Sequence, residues 1–150
     1  MDRSNYLLDL MPGDRKRVGG GSCANTAVGV AALGGRAAFV GKVANDEIGD
    51  FYTRDIARAG VEFKTAALEH GAGSGRSMIM ITPDGERTMN TFLGAGQFLP
   101  AEALDEDLIA SGAILYLEGY LWDPEEPRKA MRRAIEVARA AGRKIACTAS

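Results

Sequence analysis

The sequence has few of the side chains that bind transition metals or form disulfide bonds. Its 150 residues include two cysteines and one histidine. Cys23 and Cys147 lie far apart and form no paired-cysteine motif, so no metal site is predicted. This cysteine usage favours a reduced, cytoplasmic protein. His70 lies in the glycine-rich stretch LEHGAGSG and is predicted to be an exposed loop residue.

The chain also lacks a long apolar run and an excess of charge of either sign. No segment is long and apolar enough to span a bilayer, and the N-terminus does not have the pattern of a signal peptide. The formal net charge is −2, which argues against a nucleic-acid or membrane-surface partner. With 46% hydrophobic and 25% charged residues, the composition is typical of one globular domain with a sizeable core.

Several motifs that would identify a nucleotide-binding or hydrolytic site are missing. The sequence has no GxxxxGK[ST] loop, no HExxH and no GxSxG. The stretch GGGSCANTAVG is not a GxGxxG motif, and no strand is predicted just before it. A dinucleotide-binding oxidoreductase is therefore a weak alternative, and it would require tight binding of NAD.

Hydrophobic periodicity and turn signals predict alternating strands and helices. The predicted helices run from residue 22 or 25 to 33 and over 45–59, 100–110 and 123–141, and the predicted strands over 37–43, 61–68, 76–82, 87–93, 113–119 and 144–150. Pro83-Asp84-Gly85 predicts a hairpin turn. Asn45-Asp46 is predicted to cap the second helix and Asp123 the last one, and residues 71–75 (GAGSG) are predicted to form a flexible joint. The alternation predicts a parallel α/β sheet, with the hairpin set apart as a small flap.

The stretch GGGSCAN at 19–25 is the strongest candidate for a binding site. Gly20 and Gly21 can bring backbone N–H groups close to a ligand at the start of a helix. Asn25 would lie in the first helical turn, where its amide can both donate to and accept from vicinal hydroxyls of a sugar. The alternative is structural: the glycines form a tight turn and Asn25 caps the helix.

The stretch from Gly19 to Phe63 resembles the first signature region of the PfkB carbohydrate kinase family, which includes ribokinase and adenosine kinase. The matching residues are Gly20-Gly21, Asn25, Ala27, Gly34 and Asp46–Gly49. TPDGERTMNTFLGAG and YLEGYLWDP resemble the lid hairpin and the core strand that follows it, most of all in bacterial adenosine-kinase-like members. Two positions depart from the pattern: Cys23 stands where alanine or glycine is usual, and Ala44 where glycine is usual.

The resemblance covers 19–150 and implies the substrate-side, N-terminal portion of a ribokinase-like fold. That fold is a three-layer, Rossmann-like α/β sheet with helices on both faces and a small β-hairpin lid. Residues 1–150 would form one partial domain, with lid segments at about 61–70 and 75–93. The lid hairpins of this family can pair between subunits, which implies a homodimer as one option. The oligomeric state itself stays open.

The resemblance also implies roles for individual residues. Gly20, Gly21 and Asn25 would bind hydroxyls of a sugar or ribose. Ribokinase-like members carry lysine where this chain has Ser22, which favours a nucleoside or another sugar over ribose. Phe92 would cover the substrate from the lid, or it is ordinary hairpin packing. Glu118 would reach the pocket from the end of a core strand, or it is a solvated loop carboxylate.

The family's catalytic motifs are not found in this sequence. A G-A-G-D-like anion hole with its base aspartate is absent, as is the Asn-x-x-Glu motif linked to magnesium and phosphate. The first strand, which usually supplies an aspartate to the substrate, is absent too, and Asp9 and Asp14 are poor replacements. No catalytic residue is therefore expected in this chain, and the chain alone is not expected to transfer phosphate.

The resemblance implies a kinase that transfers the γ-phosphate of ATP to a primary hydroxyl of an adenosine-like nucleoside, with ATP and Mg²⁺ as cofactors. A free sugar is the alternative acceptor, as in ribokinase or fructokinase. A non-catalytic domain that binds a sugar or nucleoside is the alternative from a different functional class.

Overall fold

In the computed structural model, the described residues are Tyr6, Asp9 and 15–149. Tyr6 and Asp9 are helical and exposed, whereas Asp14 and Ser150, which belong to the predictions above, lie outside the described residues. The first part of the chain forms α1 (Ser22–Ala32), β1 (Ala37–Ala38), α2 (Glu47–Arg58) and β2 (Val61–Glu62).

Small and aromatic side chains pack α1 and α2 against the β1–β2 pair. The two strands are parallel, with Ala37 opposite Val61. Ala24, Ile56 and Val61 form a buried cluster, and α1 can approach the strands closely because it presents alanines there. Three rings complete the cluster, with centroids 5.7–6.2 Å apart: Phe39, Tyr52 and Phe63.

The first two predicted strands are much shorter in the structure. The N–H of Phe39 donates to the carbonyl of Glu62 (2.8 Å), and pairing then resumes only at a bridge between Ala44 and Leu68. Gly41 lies in the interrupted stretch, and glycine weakens a strand interior because it has no side chain to pack. The two segments still run parallel, which agrees with the predicted parallel arrangement.

The predicted hairpin is confirmed as β3 (Arg76–Ile81) and β4 (Arg87–Phe92). The strands are antiparallel and form a sheet of their own. Gly85 has a φ of +87° in the connecting turn, a conformation that favours glycine. Every residue of β4 is exposed, so the hairpin packs little against the rest of the described chain.

The prediction of a flexible joint at 71–75 is wrong. Ser74 is only 1% exposed. Its Oγ accepts from the N–H of Ala44 (2.9 Å) and donates to Oδ1 of Asp46 (2.7 Å), and its N–H donates to Oδ2 of Asp46 (2.8 Å). The carbonyl of Gly73 accepts from Ala95 (2.8 Å). These bonds tie Ser74 and Gly73 to their neighbours, and a Cβ on Gly75 would come within 2.7 Å of the Leu93 carbonyl oxygen, so this segment is closely packed and is not a free joint.

Of the predicted pair Asn45-Asp46, Asp46 is the N-cap residue of α2. Its Oδ1 accepts from the N–H of Gly49 at 2.8 Å. Burial tends to raise the pKa of the Asp46 carboxyl, but the hydrogen bonds from Ser74 and from the first turn of α2 outweigh burial and lower it below its usual value. The carboxylate therefore joins the start of α2 to the root of the hairpin.

The later part of the chain alternates helices and strands around a second core. Two 3₁₀ turns (Gly94–Phe98 and Ala101–Ala103) lead to α3 (Glu106–Ser111), β5 (Ile114–Glu118), a 3₁₀ turn (Gly119–Leu121), α4 (Glu125–Ala140) and β6 (Lys144–Thr148). β5 and β6 are parallel, and Ile109, Ala134 and Ala138 form the buried cluster beside them. The mixed α/β class is confirmed, although the described strands pair only two by two.

Two predicted helix starts are wrong. Residues 100–110 do not form one helix, because Leu104 is extended and Asp105 caps a new helix by accepting from the N–H of Leu108 (2.9 Å). Pro124 has an extended ψ of 139° and is itself the N-cap residue of α4. Asp123 therefore lies one position too early to cap the first turn.

Candidate functional site

The start of α1 is built from glycine backbone. Gly21 is the N-cap residue with a φ of +100°, and it has no side chain that could cap the helix. Its carbonyl accepts from the N–H of Asn25 (2.8 Å). The alternative in which Asn25 caps the helix is therefore wrong, because Asn25 lies inside the first turn and not before it.

A cleft of about 290 Å³ lies between α1 and α2, and Gly20, Asn25, Tyr52 and Asp55 are among its lining residues. Oδ2 of Asp55 accepts from the N–H of Gly19 (2.8 Å) and closes one side. A Cβ placed on Gly20 would meet no atom within 4 Å. The Asn25 side chain is exposed and makes no hydrogen bond within the described part of the chain. Its donors and acceptors are thus available to a ligand.

Glu118 reaches the start of α1 from the carboxyl end of β5. The Ser22 hydroxyl donates to Oε2 of Glu118, and the Tyr116 hydroxyl donates to Oε1 at 3.1 Å. Glu118 is half-buried. The alternative of a solvated loop carboxylate is therefore wrong, since Glu118 is a strand residue with protein partners on both oxygens.

Helix geometry connects the cleft with Glu118. Ser22 and Asn25 are three residues apart on α1, so they are neighbours on the helix surface. Ser22 bonds Glu118, and Asn25 lines the cleft. The start of α1 thus collects backbone N–H groups, one amide and one carboxylate, which is a donor and acceptor set suited to a polyhydroxyl ligand.

The charge of the same carboxylate acts on the thiol of Cys23. Partial burial and the negative charge of Glu118 raise the pKa of Cys23 to about 11. The thiol form therefore dominates at neutral pH, so Cys23 does not act as a nucleophile there.

Phe92 lies elsewhere, at the root of the hairpin. Its ring faces the guanidinium of Arg76 at 5.3 Å from the centroid, directly across the strand pair. It also touches Gly94, where an added Cβ would come within 2.9 Å of the ring. These neighbours belong to the hairpin and not to the start of α1, so the role of Phe92 as a substrate cover stays a prediction.

Sequence reasoning missed Tyr116 and Asp55. A strand places residues two apart on the same face, so Glu118 alone could have pointed to Tyr116. Asp55 gave no comparable signal, because its bond to Gly19 joins positions 36 residues apart.

Two classes of feature are absent from the described residues. Within 15–149, no three or more histidine, cysteine, aspartate or glutamate side chains form a group that could hold a metal ion. No helix in this part of the chain is long and apolar enough to cross a bilayer.

The chain is similar to several known kinases. A protein-family model described as "pfkB family carbohydrate kinase" matches residues 9–149. Fructokinase-1 from Zea mays is 34% identical over 125 residues, which are 82% of this chain and 39% of that protein. The chain thus spans about two fifths of the length of this curated relative.

Solved structures agree with this finding. The crystal structure of an adenosine kinase from Sinorhizobium meliloti is 48% identical, with a TM-score of 0.91 over 99% of this chain and 45% of that one. A fructokinase from Xylella fastidiosa, crystallised with bound ATP, is 25% identical, with a TM-score of 0.81 over 91% of this chain and 44% of that one.

Proposed function

Because the chain belongs to the pfkB family of carbohydrate kinases and has the ribokinase-like α/β fold, we propose that it forms the acceptor-binding part of a kinase. The reaction would transfer the γ-phosphate of ATP to a primary hydroxyl of a nucleoside or sugar. The observation that carries the proposal is the grouping of Gly20, Gly21, Asn25 and Glu118 at the start of α1.

The proposed binding mode follows from the chemistry of these groups. The backbone at Gly20 and Gly21 leaves room for a ligand to approach. The Asn25 amide can donate to one hydroxyl and accept from another, and Glu118 accepts from hydroxyls. Vicinal hydroxyls on a ribose or a hexose present the matching donors and acceptors.

An adenosine-like nucleoside is the favoured acceptor. The adenosine kinase of Sinorhizobium meliloti is 48% identical to this chain, and Ser22 replaces the lysine of ribokinase-like members. The fructokinase relatives support a free sugar as the alternative. The bond between Ser22 and Glu118 favours neither acceptor.

ATP and Mg²⁺ are the proposed cofactors, since kinases of this family use both. Magnesium needs carboxylates, and the transferring phosphates need positioned donors. Among the described residues, no three or more histidine, cysteine, aspartate or glutamate side chains form a group that could hold a metal ion, and the proposal assigns no magnesium ligand to them. The proposal therefore includes no catalytic residue in this chain, and the 150-residue chain alone is expected to bind an acceptor without phosphorylating it.

Residues 61–70 and the hairpin at 75–93 are proposed as lid segments of one partial domain. The hairpin exposes Ile79, Ile81 and Met89 to 51%, 68% and 64%. Such a surface suits pairing with a second copy. Light scattering of Ile79→Lys against the parent tests this, since a dimer that pairs through the lid should become a monomer.

The first experiment measures the intact mass of the denatured protein. A mass of 15.9 kDa identifies the 150-residue chain, and a larger mass identifies a longer protein, so the result states which molecule is assayed. The protein is then titrated calorimetrically with adenosine and with D-fructose, and assayed with ATP and Mg²⁺. We expect Asn25→Ala to weaken binding and Asn45→Ala, a matched change at an exposed asparagine outside the site, to leave it unchanged. If the protein binds neither adenosine nor D-fructose, the proposal is overturned. If the complete gene product binds one of them without phosphorylating it, the non-catalytic alternative is favoured.

A further inference from the structure

Tyr116 and Glu118 point from β5 towards the start of α1. Residues two apart on a strand share a face, and the Tyr116 hydroxyl donates to Oε1 of Glu118 at 3.1 Å. Tyr116 and Glu118 are both half-buried. Partial burial and the bond to Glu118 raise the pKa of the Tyr116 phenol, so the hydroxyl keeps its proton at neutral pH and acts as a donor.

The second oxygen of the same carboxylate has a different partner. Ser22, in the first turn of α1, donates to Oε2 of Glu118. The carboxylate is therefore held from both sides, by β5 through Tyr116 and by α1 through Ser22. A carboxylate has about four lone-pair positions, so two donors leave acceptor capacity for a ligand.

We propose that Tyr116 is a positioning residue that orients the Glu118 carboxylate towards the vicinal hydroxyls of the acceptor, an inference that rests on the proposed function. A carboxylate that is free to rotate has to be fixed in one orientation when a ligand binds, which carries an entropic cost. Tyr116 removes part of that cost before binding. Its contribution is thus specific for ligands that present a hydroxyl to Glu118.

The proposal predicts how strongly the site discriminates between an acceptor and an analogue that lacks one hydroxyl. A site built to bind a hydroxyl rejects an analogue that lacks it, because its polar groups are then left unpaired. Tyr116→Phe removes only one oxygen. We expect it to weaken binding of adenosine about tenfold. Binding of the analogue that lacks the hydroxyl bound by Glu118 should change little. Discrimination between the two therefore falls by the same factor.

The experiment is a double-mutant cycle. Dissociation constants for adenosine, 2′-deoxyadenosine and 3′-deoxyadenosine are measured by calorimetry for the parent, Tyr116→Phe, Glu118→Gln and the double variant. D-Fructose and its deoxy analogues replace them if adenosine does not bind. Tyr120→Phe is the matched control, since Tyr120 is 60% exposed and lies just after the same strand. Thermal unfolding of each variant checks the fold.

The outcomes separate the positioning role from the proposed function. If Tyr116→Phe weakens binding in the parent but has less than about a twofold effect in the Glu118→Gln background, Tyr116 acts through Glu118. If its effect is the same in both backgrounds, or absent, the positioning role is overturned and the proposed function stands. If the parent binds neither adenosine nor D-fructose, the positioning role and the proposed function are both overturned. In a protein that phosphorylates adenosine, the expected change is a raised KM with kcat nearly unchanged.

Discussion

Ser74 holds both carboxylate oxygens of Asp46, with its N–H 2.8 Å from Oδ2 and its Oγ 2.7 Å from Oδ1. The two residues are 28 positions apart. One residue caps α2 and the other lies at the root of the hairpin. The position of the hairpin root relative to α2 therefore depends on a pair of polar side chains.

Ser74→Ala is expected to destabilise the protein. The change leaves the buried N–H of Ala44 without its partner and removes one of the two donors to Oδ1 of Asp46, and an unsatisfied buried group costs about 1–3 kcal/mol. Urea unfolding measures the free energy. Ser111→Ala is the control, because Ser111 is exposed and bonds only within its own helix, and its effect should stay within about 0.5 kcal/mol. Equal effects of the two variants would contradict the role given to Ser74.

Asp46 is expected to make stability fall at acid pH. Its folded-state pKa is lowered, so the folded protein binds fewer protons than the unfolded chain near the unfolded pKa of about 3.9. The stabilisation is therefore fully present above that pH and is lost as the pH falls through the lower folded value. Urea unfolding at a series of pH values from 7 to 3 tests this. Asp46→Asn should show a smaller loss over that range than the parent, and an unchanged loss would refute the assignment.

Gly20→Ala is expected to impair binding without harming the fold. Gly20 does not have a positive φ, and an added Cβ meets no protein atom within 4 Å. If a ligand packs against this backbone, the methyl group costs about 1–3 kcal/mol of binding free energy, a loss of roughly five- to 150-fold in affinity.

Gly29→Ala is the matched control for that prediction. Gly29 lies within α1 and also has open space around its Cβ position. Alanine there should raise helix stability by about 1 kcal/mol and leave acceptor affinity unchanged. Calorimetric titration with adenosine and thermal unfolding give the two readouts. Unaltered affinity in Gly20→Ala would mean that the ligand does not approach this glycine.

Cys23 is expected to react slowly and Cys147 quickly. With the Cys23 pKa at about 11, little thiolate is present at pH 8, and the thiolate is the reactive form. Cys147 is exposed. Glu118→Gln removes a nearby negative charge, so it should lower the Cys23 pKa and speed alkylation, whereas Glu102→Gln, a change at an exposed glutamate, should not. Iodoacetamide labelling from pH 8 to 11 with peptide mass spectrometry measures this. A parent in which both cysteines react at the same rate at pH 8 would count against it.

Periodicity and turn chemistry predicted α1, α2 and α4 to within two residues, since those signals are local, whereas α3 begins six residues later than predicted. α1 and α2 begin and end within a residue or two of their predicted limits because glycines and Asp46 mark them in the sequence. The lengths of β1 and β2 and the packing of the 71–75 segment could not be predicted, because both depend on partners distant in sequence. A buried serine between glycines looks like a linker until its partner, Asp46, is known.

The residues of the candidate site also divide into those with a local sequence signal and those that depend on distant partners. Gly20, Gly21 and Asn25 form one continuous motif and could be named from the sequence. Glu118 could be proposed because it ends a buried strand. That Ser22 bonds Glu118 could not be foreseen, since the two lie 96 positions apart.

The two buried clusters bear on how the protein opens locally around the candidate site. One cluster joins α1, α2, β1 and β2, and the other joins α3, α4, β5 and β6. Clusters of this kind can open as separate cooperative units, seen as groups of amides that exchange hydrogen together. The contact of Ser22 with Glu118 spans the two units. A ligand bound there would fasten one unit to the other, so occupancy should slow amide exchange far from the ligand, in β6 as well as in α2.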